Sequence, residues 1–210
     1  MKLKAVLAGS AIGLSAIATS AHAAPVTSLS GTVIPMEELN IFTGGPVAQA
    51  PGIVWSSENP SSVFGYTNGY GFGDNGSWSG SPPMIATDDA FSTMEYAFST
   101  LQAGVGGLIN YSPGFDGAPT ISVFDSAHTL IESSVLSFST PGIGEFHGFL
   151  LSSATIAYFS LSGSFIGLRD LTITEVSAIP EPESYALLLA GLGLMGFVAR
   201  RRKPALRAFA

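Results

Sequence analysis

The chain has 210 residues, a formal net charge of −7 and no cysteine. The lack of cysteine excludes disulfide staples, thiolate zinc sites and a thiol nucleophile, and leaves burial of apolar surface to hold the fold together. The charge argues against nucleic acid or anionic lipid as a partner. It is also understated: seven of the eight basic residues lie at the two ends, so residues 24 to 179 carry thirteen carboxylates against Arg169 alone, a formal charge of −12.

Residues 1–23 read as an export signal. Lys2 and Lys4 precede an apolar run from Ala5 to about Ala18, and Ala21-His22-Ala23 then supplies the small-x-small pattern read by signal peptidase. Cleavage there, with Ala21, Ala23 and Ala24 around the scissile bond, makes Ala24 the first residue of the mature chain. Ser and Thr interrupt the run, which argues against a membrane helix that is kept.

Residues 24–178 form the cargo, long enough to build a core of their own. Short β-rich pieces at 26–34 and 53–55 are broken by Pro35, Gly44-Gly45-Pro46 and Pro51-Gly52, which leaves no room for long helices. The stretch 56–83 is dense in Gly, Ser, Asn and aromatics and reads mainly as loop. Within it Asp74-Asn75-Gly76 is a turn signal that closes a hairpin between 70–72 and Trp78. From Met84 onward the pattern predicts strands at 91–101, 105–111, 119–125, 129–140, 146–151, 155–161 and 170–176. In the last of these Leu171 and Ile173 share one face while Asp170, Thr172 and Thr174 share the other, as in a half-buried strand. Residues 156–161 are rather apolar on both faces, which predicts a central position. Many short strands with Gly/Pro turns imply an all-β chain folded as a β-sandwich or jelly roll.

Catalytic signals are sparse. His128 sits in a predicted hairpin turn and His147 at a strand start, both without the partners a general base requires. No G-x-S-x-G elbow occurs, because Trp78 takes the Ser position between Gly76 and Gly80. Two G-x-G-x-x-G matches lie in the Gly-rich loop and in an apolar span, where neither can cradle a phosphate. Asp88-Asp89 is the sharpest carboxylate pair, but neighbours on a strand point to opposite faces, so no two-acid glycosidase site follows. Hard oxygen donors at Asp74, Asp88, Asp89, Asp116 and Asp170 suit Ca²⁺, although no EF-hand spacing is present; no other cofactor is expected. Tyr66, Tyr70, Phe72 and Trp78 in a polar loop are either a stacking platform for sugar rings or a set of side chains tucked over one end of the sandwich.

The end of the chain joins three features in fixed order. Pro180, Glu181 and Pro182 hold the backbone extended and accessible. Residues 184–199 are free of charge and, as a helix, reach roughly 24 Å, a little short of a ~30 Å hydrocarbon core. Arg200, Arg201, Arg202 and Lys203 follow at once and keep the tail 204–210 on the cytoplasmic side. Over residues 179–203 this order resembles the PEP-CTERM sorting signal of exported bacterial proteins. The resemblance implies recognition by an exosortase, a membrane-embedded transpeptidase-like enzyme that cuts near the motif after a transient stay in the inner membrane. It further implies release to the cell surface or the extracellular matrix.

From residue 91 onward the chain also looks like the β-sandwich cargo domains of such proteins. The marks are Val105-Gly106-Gly107-Leu108, Ile121 to Asp125 with a turn at 126–128, Phe146-His147-Gly148-Phe149, and Arg169-Asp170-Leu171-Thr172-Ile173. Related domains often place two acids before that Leu, whereas here Arg169 occupies the first place. The expectation is an exported, non-enzymatic protein, structural or adhesive in association with exopolysaccharide. A carbohydrate-binding module and a secreted hydrolase are the alternatives.

Overall fold

Alternation decides most of the architecture. The computed structural model describes residues 23–115, 117–139, 141–175, 190–192 and 195. In chain order its strands are β1 (Ala24–Val26), β2 (Thr32–Val33), β3 (Ile41–Phe42), β4 (Val47–Ala50), β5 (Ile53–Ser57), β6 (Val63–Tyr66), β7 (Tyr70–Gly71) and β8 (Ser77–Trp78). They continue with β9 (Met84–Ala86), β10 (Thr93–Gln102), β11 (Gly104–Asn110), β12 (Thr120–Phe124), β13 (Leu130–Val135), β14 (Glu145–Leu150), β15 (Ile156–Ser162) and β16 (Gly167–Thr174). In β10 the side chains of Met94, Tyr96 and Phe98 are buried while Glu95 and Ala97 are only half so, and β12 repeats the pattern with Ile121 and Val123 inside.

Two sheets result. The larger runs β1-β14-β11-β16-β9-β6-β3, with β2 beside β16, and the smaller runs β13-β12-β15-β10-β5-β4; every pairing is antiparallel. One core joins them. Trp55, Tyr96, Ile121 and Phe159 enter it from the smaller sheet, Phe64, Val105, Phe149 and Leu171 from the larger. Trp55 of β5 meets Phe64 of β6 with ring centroids 5.2 Å apart. The chain is therefore all-β, and β15 is central in its sheet, as its two apolar faces require.

The stretch 56–83 is mainly loop, as expected, but it also contains β6, whose Val63, Phe64 and Gly65 are all buried. Two expectations need correction. Asp88-Asp89 lies on the bend after β9 and not on a strand, so the opposite-faces argument does not apply there. The last strand is more than half-buried, because β2 runs beside Thr172 and Ile173 and leaves Thr172 only 5% exposed. The Asp74-Asn75-Gly76 turn does close the expected hairpin: β7 pairs with β8 through Tyr70 and Trp78, around a 3-10 turn at Gly73–Asn75.

The two outer faces differ. Phe72, Trp78 and Met84 form a second apolar cluster with Tyr66, Tyr70 and Leu108, so the β7–β8 hairpin covers part of the larger sheet. Among the described residues the smaller sheet has no comparable flap.

Candidate functional site

On the outer face of the smaller sheet lies a cleft of about 410 Å³, lined among others by Glu58, Thr93, Glu95, Phe124, His128 and Ser160. Register builds it. Glu95 stands opposite Ser56 and Ser160, Ser160 opposite Ser122, and Ser122 opposite Ser133, which makes one row of short polar side chains across five strands. The next row carries Ala97, Tyr158 and Phe124. The residues between them in each strand go to the core, so what remains outside is a shallow hydroxyl floor with aromatic rings along one side.

The β12–β13 turn sets the rim. Asp125 accepts hydrogen bonds at Oδ1 from the N–H groups of Ala127 (2.9 Å) and Thr129 (2.8 Å). This Asx-type closure holds His128 at φ 58°, a conformation non-glycine residues seldom adopt. Its ring folds back over the sheet. It stacks on Phe124 at 4.7 Å, lies 4.6 Å from Tyr158, and brings Nε2 to 3.1 Å from Oε2 of Glu95. Across the cleft, Thr93 N–H donates to Glu58 Oε2 at 3.1 Å. The cleft thus offers two carboxylates, the hydroxyls of Ser56, Ser57, Thr93 and Ser160 and the rings of Phe124 and His128, and neither lysine nor arginine lines it. His128 stands out in the sequence for its turn; Glu58, Glu95, Phe124 and Tyr158 do not, and only the polar half of each alternating strand hints at them.

Of the two readings of Tyr66, Tyr70, Phe72 and Trp78, burial favours side chains tucked over the sandwich: Phe72 is 0% and Trp78 3% exposed. Trp78 meets Phe72 edge-on at 4.9 Å, Tyr70 packs on Phe72 at 5.1 Å, and the Arg169 guanidinium lies 4.5 Å over the Trp78 ring. The Tyr70 hydroxyl donates to the Thr87 carbonyl, and burial, helped by Asp88 and Asp89, pushes its phenol above the usual range. Leu108 and Met84 on the outer face of the larger sheet need cover, and these aromatics, with Tyr66 packed beside them, supply it.

The acids are dispersed. Asp89 caps the bend after β9: it accepts from the N–H groups of Phe91 and Ser92, from the Ser92 hydroxyl and from Asn59 Nδ2. Burial alone would raise its carboxyl, but the Ser92, Phe91 and Asn59 donors outweigh that and hold it below the ordinary value. Asp74 and Asp88 are exposed, and Asp170 sits at φ 56° with its carbonyl accepting from Thr172 Oγ1. Asp116 lies outside the described residues. Among the described residues no group of three His, Asp or Glu side chains is arranged to hold a metal ion. His147 stacks on Phe138 at 5.1 Å. Desolvation lowers its pKa against the opposing pull of Glu145, whose Oε2 is 3.5 Å away, too far for a firm hydrogen bond.

Of the targeting residues, Ala24 opens β1 and Ala23 is buried just before it. Ala21, Pro180, Glu181, Pro182, Arg200, Arg201, Arg202 and Lys203 lie outside the described residues. Residues 190–192 and 195, inside the predicted span, are helical; among the described residues no helix is long and apolar enough to cross a membrane. The family model described as the PEP-CTERM protein-sorting motif matches residues 178–203. None of the curated proteins compared matches the chain. The matched segment begins four residues after the last strand ends at Thr174.

Proposed function

We propose that this chain, which carries a PEP-CTERM sorting motif and is thereby marked as an exported exosortase substrate, serves at the cell surface or in the extracellular matrix as a structural or adhesive β-sandwich associated with exopolysaccharide. The match at residues 178–203 carries the reading. Its position supports it further, since a tag that starts beyond the last strand can be cut without touching the fold. Signal peptidase acts at the other end, on the Ala21 to Ala24 site, and the inner membrane holds the chain only until exosortase cuts.

The reading is non-enzymatic. In support, His128 is committed to Glu95 and two rings, and Asp89 to four donors of its own loop and its neighbour. The test is intact-mass spectrometry of the natural product alongside a variant with Pro180, Glu181 and Pro182 all changed to Ala. The expected outcome is trimming of the wild type at both ends and accumulation of the full-tailed variant in the membrane. Equal mature mass and equal export of both would refute the sorting role.

A further inference from the structure

We propose that the cleft on the smaller sheet is a binding site for a glycan bearing free amino groups, which names the polymer class in the exopolysaccharide reading above and rests on it. Dimensions come first: about 410 Å³, open along one side, suits one or two sugar rings of a longer chain. The floor fits next. Ser56 and Ser160 flank Glu95 in register and line the cleft, and the same row continues beyond the lining through Ser122 and Ser133. Hydroxyls both donate and accept, so such a row matches the hydroxyls of a pyranose without requiring a fixed polarity.

Phe124 and His128 form the stacked rim against which the apolar face of a sugar ring can lie. Charge then selects among sugars. Glu58 and Glu95 are the charged groups that line the cleft, and neither lysine nor arginine answers them. Glu95 is 24% exposed at its side chain, with its carboxylate against the His128 ring. A carboxylate-bearing or sulfated polymer would meet these two glutamates and a domain of formal charge −12. An ammonium on the sugar instead meets carboxylates, with an aromatic face beside them, and gains from both. The Asp125 turn fixes His128 over Glu95 and so sets the rim beside the carboxylate.

The experiment is titration calorimetry on the full chain in detergent with three probes: glucosamine hexamer, its N-acetylated counterpart and galacturonic acid hexamer. Wild type should bind the first at least about tenfold more tightly than the second and should ignore the third. Glu95→Gln, which keeps the shape, should weaken glucosamine hexamer by about tenfold, the loss of one charge-assisted hydrogen bond. Phe124→Leu should weaken it as well, while Glu37→Gln with Glu38→Gln, away from the cleft lining, should not. No binding, equal or tighter binding of the acetylated or acidic hexamer, or equal losses in the Glu95 and Glu37/Glu38 variants would overturn the inference, the last by revealing diffuse attraction to an acidic surface. A correctly trimmed protein that ignores glucosamine hexamer refutes this site alone. An untrimmed protein that binds it refutes the sorting role and leaves the site standing.

Discussion

Asp89 illustrates how one side chain can hold a bend that backbone pairing leaves open. Its carboxylate takes the N–H groups of Phe91 and Ser92 and ties Asn59 to them, so the connection from β9 into β10 is fastened to the loop after β5. Asp89→Ala strands those donors, and the expected loss of stability is about 1 to 3 kcal/mol by urea denaturation. The pH dependence has a definite sign. The folded carboxyl is held below its unfolded value of 3.8, so its contribution is complete above that value and fades as pH falls through the lower, folded one. Wild type should lose part of its advantage over Asp89→Ala on acidification below about pH 4; a constant difference between about pH 7 and pH 3 would contradict the role.

Among the elements, the β7–β8 hairpin shows where local chemistry stops deciding. Gly, Ser and aromatic residues leave open whether the rings face solvent or tuck over the sandwich, while the Asp-Asn-Gly turn with its flanking pairing is readable from local chemistry alone. Which way the rings point is not readable, because that depends on Leu108 and Met84 lying on the sheet beneath. Gly144 makes the fit tight: at φ 77°, a Cβ there would stand 2.7 Å from the Trp78 ring and 2.4 Å from the Ile109 carbonyl. Trp78→Ala should therefore cost about 3 kcal/mol, measured as a shifted urea midpoint, whereas an exposed stacking residue would cost almost nothing.

β10 and β12 are legible because each turns one face to the core and so keeps a period of two, Met94-Tyr96-Phe98 being the plainest. β6 is not, since burial on both faces erases alternation. The cleft is invisible in the sequence for another reason: Ser56, Glu95 and Ser160 become neighbours only through pairings between distant strands.

At the scale of the whole molecule, charge works against burial. Thirteen carboxylates on one domain repel one another with a single arginine for relief, and that arginine is occupied by Trp78. Stability should consequently rise as sodium chloride is taken from about 10 mM to 300 mM, over which the screening length falls from roughly 30 Å to below 8 Å. A urea midpoint that stays level or drops across that range would show that the acids are too dispersed to matter.

The first strands find their partners near the opposite end of the domain, β1 on β14 and β2 on β16. A passenger built this way cannot close while it is still being threaded through a translocation pore, because its opening residues wait for its closing ones; it must travel pliable and set on the far side. β16 itself comes to rest in the middle of its sheet, between β11 and β9. A cut beyond it therefore leaves the pairing of β16 with both neighbours intact and bares no new sheet edge.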